Sequence, residues 1–314
     1  MPKMWDLLRK SKYFLINAHP LGHFSFPNIP KRIVNIGGIE VEMEGIFNKI
    51  EEEKRLIEKE KNKGKITMIE DPVYNWIKKT DCFVLFCWGK DVTLNGFTSK
   101  HLNELMNTFE KYGKCRFVIH GIYPPLRSFS WNSRRHIQKN IYFYNFPIDQ
   151  QKFLAQTNIR GFITAGDQKS FTQALYFGVP LILIPFNIEQ KFNAKSSEYM
   201  GVGIVVDHTK FIEEFPVAVN ELMRENQQSN PNTLIENANK TKEAINQFPN
   251  GQIQTFLEIV EKAIEEKDDE EHFPVISKFE EIEHGGYKPF SVALDEFINS
   301  TKMREREIHD QSDK

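Results

Sequence analysis

Along most of this chain, short apolar runs alternate with longer segments whose apolar residues recur at helical spacing. From residue 81 the alternation is regular. "CFVLFCW" reads as a buried strand, and "SKHLNELMNTFEKYG" as an amphipathic helix stopped by Gly113. "CRFVIHG" and "NIYFYNF" follow as strands, then a short helix around 151–156, strand "GFIT", helix "SFTQALYFG" and strand "PLILIP". Next come helix "QKFNAKSSEYM", with Gly201 as its stop, and strand "GIVVD". After residue 210 the pattern turns helical, with "FIEEFPVAVNELMREN", "TLIENANKTKEAINQ" and "GQIQTFLEIVEKAIEEK". Strands separated by helix-length segments predict an α/β fold, a doubly wound parallel sheet of about six strands between two helical layers. The expected core includes Val84, Leu85, Phe117, Val118, Ile163, Leu183, Ile184 and Val205, with a helix containing Phe256, Ile259 and Ile264 packing back across the body.

The flanks read differently. Residues 1–44, with strand-like "YFLINA" and Pro-rich "HPLGHFSFPNIPKRIV", form a connector. Residues 45–80 combine a helix with the charged stretch "KIEEEKRLIEKEKNKGK", a solvated face. Residues 81–266 hold the strand–helix alternation, and 267–314 form a polar tail.

Composition narrows the class. The 314 residues are 40% hydrophobic and 27% charged with net charge −2, ordinary globular material that argues against a nucleic-acid partner. The three cysteines, Cys82, Cys87 and Cys115, are odd in number and lack CxxC spacing, so they are expected as buried free thiols, with no disulfide and no metal site. No run approaches the roughly 18 apolar residues of a membrane helix, and no leader is visible, so the chain is expected to be soluble as given.

Candidate chemistry centres on "GFITAGDQKSFTQALYFGVPLILIPFNIEQKFNAK", residues 161–195. Strand, turn, helix, strand is a parallel crossover, and turns at the carboxyl ends of such strands hold ligands. Here the helix opens near Ser170, which can cap it and offer a hydroxyl, while Gly166 permits close backbone approach. A helix N-terminus with free N–H groups favours an anion such as a phosphate.

This segment resembles the signature of the UDP-glycosyltransferases of the animal glucuronosyltransferase type, roughly F-I-T-H-G-G-x-x-S-x-x-E-A, then G-x-P, then P-x-x-x-D-Q-x-x-N-A. Phe162, Ile163, Thr164, Gly166, Ser170, Ala174, Gly178, Pro180, Pro185, Gln190, Asn193 and Ala194 match. "FPNIPKRIVNIGGIEVE", "FVLFCWG" and "KNIYFYNFP" agree in order with other family landmarks, so the similarity covers about residues 14–265. The resemblance implies the Rossmann-like C-terminal half of a GT-B glycosyltransferase, binding a UDP-sugar as co-substrate without a further cofactor. It implies transfer of a hexosyl or glucuronosyl group, with inversion, to a small lipophilic acceptor. It also implies that residues 1–44 are the end of an N-terminal domain and its connector, with the N-terminal domain and its catalytic base supplied by a second chain. Relatives reside in the endoplasmic reticulum membrane.

Carried over residue by residue, the resemblance assigns the donor site to Gly89, Lys90, Gly166, Lys169, Ser170, Gln173, Glu189 and Gln190. Several positions depart from the pattern. The diphosphate-facing His is Ala165, the following Gly is Asp167, and the uracil-stacking aromatic is Asn145 unless Phe146 replaces it. Gln173 stands for the ribose-binding carboxylate and accepts through one oxygen only. Lys169 offers an ammonium that offsets Asp167, while Lys90 either meets a phosphate or points to water. His19, His23, His101 and His120 are expected to be structural or exposed, and no catalytic residue is assigned. Two functions stay open, a working UDP-glycosyltransferase and a catalytically inactive homologue that serves as a binding or interaction domain.

Overall fold

The computed structural model describes residues 10–23, 30–46, 49, 72–88, 97–121, 137–138, 140–144, 146–225 and 232–266. Two short strands, β1 (Phe14–Ile16) and β2 (Ile33–Asn35), pair in parallel in the connector and lead into helix α1 over 39–46. Helix α2 (Pro72–Ile77) precedes β3 (Phe83–Cys87), α3 (Ser99–Glu110), β4 (Arg116–His120), β5 (Ile137–Gln138) and β6 (Ile141–Tyr144). Then come α4 (Gln150–Leu154), β7 (Ile159–Thr164), α5 (Gln168–Phe177), β8 (Leu181–Leu183), α6 (Ile188–Tyr199) and β9 (Gly203–Val205). Helices α7 (Phe211–Met223), α8 (Thr233–Asn246) and α9 (Gly251–Glu265) close the described chain.

Period-two alternation in the apolar strands builds both cores at once. Phe83, Leu85 and Cys87 face a core shared with α2, α4, α5, α6 and α8, while Val84, Phe86 and Trp88 face one shared with α3 and α7. The result is a three-layer α/β sandwich. Its main sheet runs β5-β6-β4-β3-β7-β8-β9, with every pairing parallel except β5 against β6. That antiparallel edge strand was not expected from the sequence, because two residues are too few for a readable period. Most of the expected core is fully buried, but Val205 is only half-buried. It lies on β9, an edge strand with a neighbour on one side only, and the next residue, Val206, carries the deep position.

The cysteine expectation is overturned. Cys82 and Cys115 form a disulfide, with Cα atoms 4.7 Å apart, and Cys87 is a buried thiol outside that bond. The reason is register. Phe83 pairs with Arg116, which sets the residues just before them side by side at the amino ends of neighbouring parallel strands.

Helix α9 is held at both ends. Glu42 accepts from the N–H groups of Gln252 and Ile253, and Lys12 donates to the carbonyl oxygens of Ala263 and Glu266. Phe256 and Ile259 are half-buried, whereas Ile264 is 77% exposed and so does not pack as expected. The charged stretch 51–65 and the tail 267–314 lie outside the described residues.

Candidate functional site

Strand order fixes where a ligand can sit. The chain starts the sheet at β3, steps outward through β4 to β6, and returns to the other side of β3 as β7. Loops leaving β3 and β7 therefore part in opposite directions, and the crevice at such a reversal is the ligand site of open α/β sheets. Beyond β3 lies buried Trp88; Gly89 and Lys90 lie outside the described residues. Beyond β7 the chain runs Ala165-Gly166-Asp167 into α5.

Gly166 is required there. Its φ is +91°, and an added Cβ would stand 2.7 Å from Leu183 Cδ2. The Asn193 amide donates to the Gly166 carbonyl at 3.0 Å, so α6 fixes the turn from behind. Ala165 is fully buried and offers no polar group.

Helix α5 begins at Gln168, two residues earlier than the sequence reading, and the cap is Asp167 rather than Ser170. One Asp167 oxygen accepts from the Ser170 N–H at 3.0 Å and the other from the Ser170 hydroxyl at 2.8 Å. A second carboxylate, Glu189 on the first turn of α6, accepts from the Gln168 N–H at 3.0 Å. Two side-chain anions thus occupy donors that the macrodipole offers to any anion.

Beneath them runs a chain of amides that the sequence reading missed. Gln150, the first residue of α4, donates to Ser170 Oγ at 3.2 Å and to Gln173 Oε1 at 2.6 Å. Gln173, buried to 1% exposure, donates to Gln151 at 3.5 Å, and Gln151 donates to the Val41 carbonyl of α1 at 2.9 Å. Gln190 is likewise committed. Its Oε1 accepts from the N–H groups of Phe186 and Asn187, completing a capping box at the start of α6.

Lys169 is the cation of the site. Its ammonium lies 3.9 Å from Glu40 and 4.0 Å from Glu44, both on α1. Burial raises the Glu44 carboxyl above the usual carboxylate range, with Lys169 acting against that shift. Asn145 lies outside the described residues, and the neighbouring Phe146 ring is 65% exposed, with Tyr144 edge-on 5.8 Å away.

The four histidines are tied into the frame. His120 donates to the Tyr144 carbonyl, His101 accepts from the Thr98 N–H, and His23 bonds Asn35. His19 is buried between Tyr176 and Phe248, accepts at Nδ1 from the Leu21 N–H, and is pushed down to about 3 by burial and then by His23. Among the described residues no group of three or more His, Cys, Asp or Glu side chains could hold a metal ion, and no helix is long and apolar enough to cross a membrane.

Comparison with known proteins agrees with this geometry. The model of the glycosyltransferase family 28 C-terminal domain matches residues 137–248. The Caenorhabditis briggsae protein carried under the name UDP-glucuronosyltransferase ugt-47 is 23% identical over 269 residues, covering 84% of this chain and 44% of that relative. The ecdysteroid UDP-glucosyltransferase of Autographa californica nuclear polyhedrosis virus is 24% identical over 228 residues, covering 71% and 39%. Among solved structures, Os79 from O. sativa in complex with UDP superimposes with a TM-score of 0.51 at 23% identity over 63% of this chain and 45% of that one, a likeness of fold. The architecture is that of the C-terminal half of a GT-B glycosyltransferase. In sequence the chain is similar to UDP-glycosyltransferases, and residues 137–248 to the glycosyltransferase family 28 C-terminal domain. It spans less than half the length of these curated relatives.

Proposed function

We propose that this chain supplies the donor half of a UDP-glycosyltransferase, seating a UDP-hexose or UDP-glucuronic acid at the crevice between the carboxyl ends of β3 and β7 for transfer to a small lipophilic acceptor. One observation carries the reading. The Gly166 turn presents the N-terminus of α5 at the strand-order reversal, where a diphosphate meets backbone N–H groups and the positive end of a helix.

The seat is self-capped, and magnitudes decide what a donor must do. Losing an N-cap costs about 1 kcal/mol. Two like unit charges about 4 Å apart repel by about 4 kcal/mol at an effective dielectric near 20. A diphosphate therefore displaces the Asp167 carboxylate instead of sharing the helix end with it. Binding proceeds at reduced strength, with Ser170 freed to donate its hydroxyl and Lys169 to offer its ammonium. Gln150 then holds Gln173 for a ribose hydroxyl.

A second reading rests on the same carboxylates. If Asp167 and Glu189 are not displaced, the chain keeps the fold as a binding or interaction domain without turnover. Calorimetric titration with UDP, UDP-glucose and UDP-glucuronic acid separates the two. The first reading expects dissociation constants from micromolar to low millimolar, tightened at least tenfold by Asp167→Gly and further by Ala165→His. Absence of binding in all three proteins would leave the second reading in its place.

A further inference from the structure

We propose that Glu40 and Glu44 hold the Lys169 ammonium in reserve beside the donor seat, so that these two carboxylates set how strongly the seat accepts a phosphorylated ligand. The inference rests on the seat assigned above and adds its regulation from the connector.

Three contacts fix α1 in place. Its Val41 carbonyl accepts from Gln151, and its Glu42 carboxylate accepts from the Tyr176 hydroxyl at 3.1 Å and from the first N–H groups of α9. At the helix start, Gly38 has φ +113° and lies so close to Tyr176 that an added Cβ would stand 2.0 Å from its hydroxyl oxygen. Residues four apart share a helix face, so Glu40 and Glu44 present together toward α5.

Lys169 is the second residue of α5, within the turn whose N–H groups Asp167 and Glu189 occupy. Its distances of 3.9 and 4.0 Å to the two carboxylates exceed those of a directional hydrogen bond, so charge alone holds it. The side chain is 55% exposed, and exposed pairs of this kind are weak and exchangeable. A small cleft between α1 and the first turn of α5 is lined by Asn17, Glu40, Gln168, Lys169 and Thr172. An arriving phosphate competes with Glu40 and Glu44 for one cation. The amide chain from Ser170 through Gln150, Gln173 and Gln151 to Val41 ties the same connector helix to the seat.

The test is a double-mutant cycle on the 314-residue chain, read by calorimetry with UDP and with uridine as the phosphate-free probe. Glu40→Gln with Glu44→Gln should tighten UDP about three- to tenfold, and Lys169→Met should weaken it by a similar factor. In the Lys169→Met background the glutamine pair should change UDP affinity by less than about twofold, and uridine should not respond in any variant. Thermal melts confirm that each variant is folded. An unchanged UDP affinity in the glutamine pair overturns the proposal, as does equal tightening with and without Lys169, which would mark a general field effect. If no variant binds UDP, Asp167→Gly included, the seat itself fails and the inference with it.

Discussion

The two ends of the main sheet are finished in opposite ways. At the amino ends, Cys82 and Cys115 join β3 to β4 covalently. The Asn140 amide donates to the carbonyls of Phe109, Tyr112 and Cys115, and Asn158 donates to those of Ile77 and Thr80. At the carboxyl ends the partners are carboxylates on helix N–H groups, Asp167 on Ser170 and Glu189 on Gln168. An amide holding buried or half-buried carbonyls of its own chain meets no competing anion. A carboxylate on a helix N-terminus competes with any anion that arrives. On the function proposed above, one end stays closed and the other is exchanged.

The largest expected effect breaks the amino end. The disulfide closes a 33-residue separation, for which chain entropy predicts a stabilisation of about 3–4 kcal/mol. Cys82→Ala with Cys115→Ala should lower the unfolding free energy in urea by that amount; a loss below about 1 kcal/mol would mean the strand pair holds without its staple. Next comes Asn140→Leu, which strips donors from three carbonyls and should cost about 2–3 kcal/mol by the same measurement.

The connector that packs beside the exchangeable end has its own signature in pH. His19 is neutral in the fold and held near 3, below its ordinary 6.5, so between those values the unfolded chain binds the extra proton. Stability then falls as pH falls, by about 2 kcal/mol at pH 5 relative to pH 7. His19→Gln should remove that slope; an unchanged slope would place its origin elsewhere. The smallest effect has the most telling sign. Asp167→Ala should cost about 1 kcal/mol of stability as a lost cap while tightening UDP, whereas a mutation at the amino end should cost stability and leave UDP affinity unchanged.

Much of this was legible in the residues. "CFVLFCW" carries a buried strand because alternate positions feed two apolar cores, and the spaced agreement around Gly166 and Asn193 located the turn. What escaped were relations across the chain. Nothing local says that Cys82 and Cys115 stand in register, since parallel pairing is set by the whole crossover. Gln150 was missed because its partners Ser170 and Gln173 arrive from another helix. The cap was within reach. An Asp three residues before Ser170 is a standard N-cap signal, and reading Asp167 only as a misplaced anion hid its structural role.

The most direct test of the self-capped seat is a crystal structure of the chain grown with UDP. The account predicts the diphosphate on the N–H groups of Gln168 and Ser170, with the Asp167 carboxylate turned away from Ser170. Nucleotide bound elsewhere, or absent at saturating UDP with Asp167 still capping Ser170, would contradict it.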